Sequence, residues 1–206
     1  MARMNHPRAL SPRPARRPPG AAVQGLTLVE LLVTMALVAI LMAAGAPAMQ
    51  QFLAQRAVVA QADTLVSSLR FTRSEALKTG RPVTMCLSAN TDDAAPTCAA
   101  NAPDAGWASG WLVFVDENAD GDVDDEDQRL RVEQGFANRS GGVATNPAGR
   151  VRVTFQPNGL ATGFNARFTF LPRMTGSEDE INANTVIACL ATTGRVEMRR
   201  RGVLAC

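Results

Sequence analysis

The stretch Gly25-Leu-Thr-Leu-Val-Glu-Leu-Leu-Val-Thr-Met35 places one carboxylate, that of Glu30, at the start of an otherwise apolar segment. The 19 residues from 31 to 49 carry no charged side chain. At about 1.5 Å per residue they form roughly 28 Å of helix, which is close to the hydrocarbon thickness of a bilayer. The pattern therefore predicts a transmembrane helix over residues 26–49. An acid at mid-bilayer costs about 2.5 to 3.5 kcal/mol, so we expect Glu30 to have a function.

The segment before this helix, residues 1–25, is basic and rich in proline. It contains five arginines and no acid, and it holds the one histidine of the chain, His6. Taking those five from the 21 basic residues leaves 16 against 19 acidic ones, so the remaining chain has a formal charge of −3. Basic flanks of membrane helices favour the cytoplasm. The sequence thus predicts a single-pass membrane protein with a cytoplasmic N-terminus, in which the chain after residue 50 is exported.

Residues Gly25 to Glu30 resemble the class III signal of type IV prepilins and type II secretion pseudopilins. The resemblance implies that a prepilin peptidase cuts after Gly25 and that the new terminus at Leu26 is N-methylated. Residues 1–25 would then be a cleaved leader. The resemblance also implies that the membrane is the inner membrane and that the exported head lies in the periplasm. Leu26 stands where the family usually has phenylalanine, a difference that bears on methylation more than on cleavage.

Glu30 and Pro47 are the positions that this resemblance links to assembly. In a filament core of packed apolar helices, Glu30 loses water and needs a cation. The amine of a neighbouring subunit's Leu26, with a pKa of about 8, can supply one. Pro47 removes a backbone hydrogen bond and clashes with the carbonyl of Ala43, which predicts a kink or local melting. The alternative is a helix that simply ends there, at the membrane surface.

Residues 50–79 keep the helical period and form the amphipathic half of the same helix, which Gly80 and Pro82 end. Its predicted docking face consists of Val58, Ala62, Leu65, Leu69 and Ala76.

The chain from 80 to 206 changes to short apolar runs separated by Gly, Asn, Asp and Pro, which is typical of strands and turns. The predicted strands cover residues 82–87, 111–115, 128–134, 151–155, 166–171, 185–190 and 195–199. Loops are expected over residues 89–106, 137–149 and 172–184. The predicted fold class is α+β, with a long N-terminal helix packed on a head of antiparallel β-sheets.

Two stretches, Leu69 to Cys86 and Gly110 to Asp116, resemble the GspH/FimT branch of the pseudopilins. The resemblance implies a minor subunit of a filament whose partners are other pilins or pseudopilins, the prepilin peptidase and the inner membrane. It covers two kinds of member. One belongs to type II secretion pseudopili, and the other consists of type IV minor pilins that bind double-stranded DNA during uptake.

The four cysteines, Cys86, Cys98, Cys189 and Cys206, suit an oxidising compartment. They allow three pairings, of which the local one joins Cys86 to Cys98 and Cys189 to Cys206. Each local bond would contribute about 3 kcal/mol in the chain-entropy treatment. The cysteine spacing does not fit zinc, and residues 26–206 contain no histidine for a Ser-His or Cys-His nucleophile. We therefore expect a protein that is not an enzyme.

The acidic stretch from Asp116 to Asp127 follows the oxygen spacing of a calcium loop. The predicted ligands are Asp116, Asn118, Asp120, Asp122 through its carbonyl, Asp124 and Asp127. Gly121 occupies the position of the sharp turn. The preceding residues read as a strand rather than a helix, and aspartate replaces the usual last glutamate. The alternative is an acidic hairpin turn without a metal. Calcium is the only cofactor that the sequence suggests.

The C-terminal stretch carries a cluster of arginines, Arg195, Arg199, Arg200 and Arg201. A strand here would bury Val196 and Met198 and present the charged residues on the other face. DNA-uptake members of the resembled branch have a Gly-Arg-x-Arg pattern, but Glu197 stands at the second arginine. Clustered arginines bind phosphates without reading bases, so double-stranded DNA is a candidate partner. The alternative is a solvated edge strand.

Overall fold

A computed structural model describes residues 25, 27–136, 141–161, 165–200 and 206; at 44, 46–48 and 200 it describes the backbone alone. The chain divides into two units, residues 1–43 and 44–206. The first helix, α1, is assigned over Leu28–Thr79. It therefore does not end at Pro47, whose kink stays a prediction because nothing is described of that side chain. It ends as predicted, where Gly80 adopts a φ of 68° before Pro82.

None of the helices in the described residues is long and apolar enough to cross a membrane. Residue 26 and the side chains of residues 44 and 46–48 lie outside that description, and the transmembrane helix over residues 26–49 stays a prediction.

In the described part of the second unit, eight strands form two antiparallel sheets. The first sheet has the order β3-β2-β1-β5 and the second the order β4-β6-β7-β8. The strands are β1 Val83–Leu87, β2 Gly110–Val115, β3 Gln128–Gln134, β4 Val143–Asn146, β5 Arg152–Phe155, β6 Ala166–Phe170, β7 Val186–Leu190 and β8 Val196–Arg200. A short 3-10 turn, Trp107–Ser109, precedes β2, and a second helix, α2, covers Glu178–Asn184. The α+β fold predicted from the sequence is confirmed.

The main core lies between the C-terminal half of α1 and the two sheets. All five residues of the predicted docking face are fully buried there, with Leu65 and Leu69 among them. They share the core with large side chains of both sheets, such as Phe155 and Phe168. The 3.6-residue period of the sequence therefore identified the buried face of this helix correctly.

Two elements fall in segments predicted to be loops. Strand β4 lies within 137–149, and its residues pair with β6 from Val143↔Phe170 to Asn146↔Arg167. Helix α2 lies within 172–184 and buries no residue, so it has no apolar period to reveal it. Its N-terminus is a capping box in which the Ser177 hydroxyl accepts from the Glu180 backbone and the Glu180 carboxylate accepts from the Ser177 backbone. The loop predictions at these two places were wrong.

Candidate functional site

The N-terminal signal region is exposed at each described residue. Gly25 is exposed and a Cβ placed on it would meet nothing within 4 Å. The Thr27 hydroxyl accepts a hydrogen bond from the backbone N–H of Glu30 at 3.2 Å, which caps the first turn of α1. Glu30 lies in that turn, where the helix dipole favours a negative charge. Leu26, the predicted methylation site, lies outside the described residues.

The apolar side chains on both sides of Glu30 are exposed among the residues that the structure describes. The large hydrophobic residues between positions 28 and 42 expose 49–76% of their surface. They are Leu28, Val29, Leu31, Leu32, Val33, Met35, Leu37, Val38, Ile40, Leu41 and Met42. An apolar surface of this extent marks a site of contact with other proteins or with lipid.

A second candidate site is a cavity of about 520 Å³ on the outer face of the second sheet. Three arginines line it, Arg167 from β6, Arg195 from the turn before β8, and Arg199 from β8. The register Arg167↔Cys189 and Cys189↔Glu197 places one residue of each strand in a row across this face. Val196 and Met198 pack against the core from the opposite face, as the alternation predicted.

Glu197 lies in the middle of these arginines and pairs with two of them. Its carboxylate is 2.6 Å from Arg195 Nη2 and 3.5 Å from Arg199 Nη2. Glu197 thus already accepts from guanidinium N–H groups of Arg195 and Arg199 that could otherwise bind a phosphate. Arg200 is in β8, but nothing is described of its side chain, and Arg201 lies outside the described residues.

The disulfides are those of the local pairing, Cys86–Cys98 and Cys189–Cys206. The second bond brings the end of the chain to β7, so that both of its cysteines line the arginine cavity. The first bond lies in a small cluster on the other face of the first sheet, with Leu112 and Phe114.

The acidic loop connects β2 to β3. Asp116 is fully buried, and its Oδ2 accepts hydrogen bonds from the Thr84 hydroxyl at 2.7 Å and the Gly121 backbone at 3.1 Å. Burial raises the pKa of the Asp116 carboxyl. The hydrogen bond from Thr84 lowers this pKa, and the negative charge of Asp127 raises it. The hydrogen bond from the Gly121 N–H lowers it, and the negative charge of Asp120 raises it.

Asp127 closes the loop from its other end. Its Oδ1 accepts from the Glu117 backbone at 3.0 Å and its Oδ2 from the Asp124 backbone at 3.1 Å. Among the residues that the structure describes, no three His, Cys, Asp or Glu side chains form a ready metal site. Calcium at this loop stays a prediction.

Sequence reasoning missed several residues of these sites. Arg167, Asn146 and Asn165 line the arginine cavity, but they come from strands and a turn that only the long-range register of the second sheet brings there. Arg152 of β5 reaches the acidic loop, where its Nε donates to the carbonyl of Gly121 at 2.8 Å and its guanidinium pairs with Asp122. No local motif marks any of these four residues.

Comparison with known proteins gives two family matches. Residues 61–190 match the family described as type II transport protein GspH. Residues 21–46 match the prokaryotic N-terminal methylation motif, which includes Gly25 and Glu30. No curated protein matches the chain.

Among solved structures, the chain is similar to the crystal structure of the type IV minor pilin FimU of Pseudomonas aeruginosa in space group P21. The TM-score is 0.53 at 17% identity, over 72% of this chain and 92% of that one. The crystal form of the same protein in space group P65 gives a TM-score of 0.48 at 18% identity, over 70% of this chain and 91% of that one. At such identity the first match shows the shared fold.

Proposed function

The chain belongs to the family described as type II transport protein GspH, and from this premise we propose that it is a minor subunit that enters its filament through residues 26–49 of α1. The family match and the methylation motif make it a subunit of a type II secretion or type IV pilus system. The apolar surface from Leu28 to Met42 carries the proposal, because the described residues leave it exposed and an apolar surface of this extent is typical of a contact with other proteins or lipid. The role is structural rather than enzymatic.

The proposed sequence of events begins at the inner membrane. A prepilin peptidase removes residues 1–25 there, the new terminus is methylated, and the subunit is held by its N-terminal helix with the head in the periplasm. Other pilins or pseudopilins then take up the apolar surface. Burial in that surface strips water from the Glu30 carboxylate, which pairs with the amine at position 26 of a neighbouring subunit. This single charge pair fixes the axial register between subunits.

Two variants separate processing from assembly. Gly25→Ala leaves the structure unstrained, because a Cβ has open space there, and is expected to block cleavage. Glu30→Gln is expected to be cleaved normally but to fail to enter filaments, since it cannot pair with the terminal amine. The measurements are the N-terminal mass of the purified chain and its presence in sheared filaments from cells that express the assembly system.

Asp63→Asn is the matched control for charge. Asp63 is an exposed acid on the same helix, so this variant removes one negative charge outside the apolar surface. It should be cleaved and assembled like the unaltered chain. A purified chain that still begins with residues 1–25, or a Glu30→Gln variant that assembles normally, would contradict the proposal.

A second candidate function is binding of double-stranded DNA at the arginine cavity, which would make the subunit a receptor for DNA uptake. The observation in its favour is that Arg167, Arg195 and Arg199 from different parts of the second sheet line one cavity. Three phosphate contacts give a slope of about −2.7 for log affinity against log salt. Affinity would then fall about 40-fold between about 50 and 200 mM salt.

The DNA hypothesis makes opposite predictions for two neighbouring charges. Arg195→Ala with Arg199→Ala should abolish binding of the full-length chain in detergent to duplexes of unrelated sequence. Glu197→Gln should strengthen binding about threefold or more, because it frees both arginines from their ion pairs. Mobility shifts measure both. Arg70→Ala, at an exposed position on α1, is the control for loss of one positive charge. Equal shifts in all variants would exclude this cavity as the DNA site.

A further inference from the structure

We propose that the disulfide between Cys189 and Cys206 is a thiol-exchange site for small thiols that carry an acid group, and that the arginine cavity binds this group. The proposal goes beyond the filament and DNA proposals above and depends on neither. It begins with access, because a thiolate must reach a disulfide sulfur in order to react with it. Cys206 is exposed and Cys189 is half-buried, and both line the cavity of about 520 Å³.

The side chains around Cys189 carry a net positive charge. Arg167 of β6 and Glu197 of β8 are its two cross-strand partners. Directly opposite residues have Cβ atoms about 4.5 to 5.5 Å apart, and a residue two places along the neighbouring strand is still within reach of a long side chain. Arg199 has that diagonal position, and Arg195 also lines the cavity. Three arginines against one glutamate give the described lining a side-chain charge of +2.

This charge favours two parts of the exchange. The guanidinium groups bind the acid group of the incoming thiol, for which their planar fork is well suited. The thiolate of the reagent attacks Cys206 Sγ, so that a new S–S bond forms there while the bond to Cys189 breaks. The electron pair of the broken bond leaves on Cys189 Sγ. Neighbouring positive charges stabilise this departing thiolate, and a better-stabilised thiolate leaves faster.

The product depends on whether the reagent has one thiol or two. With one thiol, the Cys189 thiolate can expel the reagent again and restore the original disulfide. With two, the second thiolate attacks the reagent's own sulfur in the mixed disulfide, closes a ring and releases Cys206 as a thiolate. The dithiol then loses two electrons and the protein disulfide gains them, while the two protons of the dithiol pass through solvent to the cysteines. A dithiol therefore drives the opening to completion.

The other disulfide lies in different surroundings. Cys86 is fully buried in the small apolar cluster on the first sheet. Cys98 is half-buried, and a thiolate that attacked it would have to expel Cys86 as a thiolate into apolar surroundings, where that form is disfavoured. Arg152 is the cross-strand partner of Cys86, but it pairs with Asp122 and brings no excess positive charge. Cys86–Cys98 is therefore an internal reference that should exchange slowly while the head is folded.

The test uses the full-length chain in detergent, with dihydrolipoate as an acidic dithiol and dithiothreitol as a neutral one. Freed thiols are trapped with a maleimide at successive times, and peptide masses then report the two disulfides separately. With dihydrolipoate, Cys189–Cys206 should open at least about tenfold faster than Cys86–Cys98. Equal rates at the two bonds would overturn the proposal.

Salt tests the role of charge without any variant. The rate with dihydrolipoate divided by the rate with dithiothreitol is the acid preference, in which the intrinsic reactivity of each reagent is constant. At Cys189–Cys206 it should fall at least about twofold between about 10 mM and 1 M salt, because screening weakens the attraction of the extra acid group. An acid preference that salt leaves unchanged would contradict binding of the acid group by the arginines.

Two variants of the cavity change its charge in opposite directions. Arg199→Gln should lower the acid preference about twofold or more, and Glu197→Gln should raise it by a similar factor. Arg70→Gln, at an exposed position on α1, is the control for loss of one positive charge and should leave the preference unchanged. The Cys86–Cys98 bond in each sample reports folding, because an unfolded chain would open both bonds alike. If Arg199→Gln and Arg70→Gln have equal effects, the cavity does not select acidic thiols and the proposal is wrong.

Discussion

At the scale of single residues, Gly194 shows how the turn between β7 and β8 depends on the absence of a side chain. Its φ is 75°, and a Cβ there would collide with the carbonyl oxygen of Gly159 and come within 2.9 Å of Arg73 Nε. That carbonyl already accepts a hydrogen bond from Arg73 Nε at 3.0 Å. Helix α1, the loop at Gly159 and the turn that precedes the charged residues of β8 therefore meet at one point.

We expect Gly194→Ala to lower the free energy of unfolding by about 2 to 5 kcal/mol. About 1 to 2 kcal/mol comes from the left-handed backbone and the rest from the collision. Gly149→Ala separates the two causes, because Gly149 has the same φ of 75° but nothing within 4 Å of an added Cβ. Gly149→Ala should therefore lower the free energy of unfolding only by the backbone contribution of about 1 to 2 kcal/mol. Chemical denaturation measures both, and equal losses would show that the contact with Gly159 contributes nothing.

At the scale of elements, the sequence predicted those helices and strands whose own residues carry the burial pattern. The docking face of α1 and strand β6, whose residues alternate between buried and half-buried, agree with the structure because their periods are set locally, by the helix turn or by alternation. Strand β4 was missed for the opposite reason. Its four residues lie between Gly142 and Pro147, so turn formers dominate the segment, and only pairing with β6 makes it a strand.

Helix α2 was not predicted, although its sequence carries a local helix signal. Ser177 and Glu180 have the spacing of a capping box, and three acids occupy the first turn, where the helix dipole favours them.

The arginine cavity could be predicted from the sequence only in part. Arg195 and Arg199 could be found from the charge cluster, whereas Arg167 joins them only through the register of β6 with β7. A site assembled across strands is predictable only in the part that one strand contributes.

At the scale of the whole molecule, two disulfides each join a strand to a segment that follows it in the chain. Cys86–Cys98 joins β1 of the first sheet to the following loop, across a separation of 12 residues. Cys189–Cys206 joins β7 of the second sheet to the last residue, across 17. The two loops are similar in length, so the chain-entropy contribution is about 3 kcal/mol for each bond. Their positions differ, because the second bond alone lines the arginine cavity.

Removing each bond should therefore separate stability from binding. The double variants Cys86→Ala with Cys98→Ala, and Cys189→Ala with Cys206→Ala, should each lower the free energy of unfolding by about 2 to 4 kcal/mol in chemical denaturation. Under conditions where both remain folded, the second variant should bind duplex DNA more weakly, since the end of the chain is no longer held at Arg195 and Arg199, while the first should bind like the unaltered chain. Equal DNA affinity in both variants would mean that the second sheet and its turns hold these arginines without the terminal disulfide, and that this bond serves only the stability of the head.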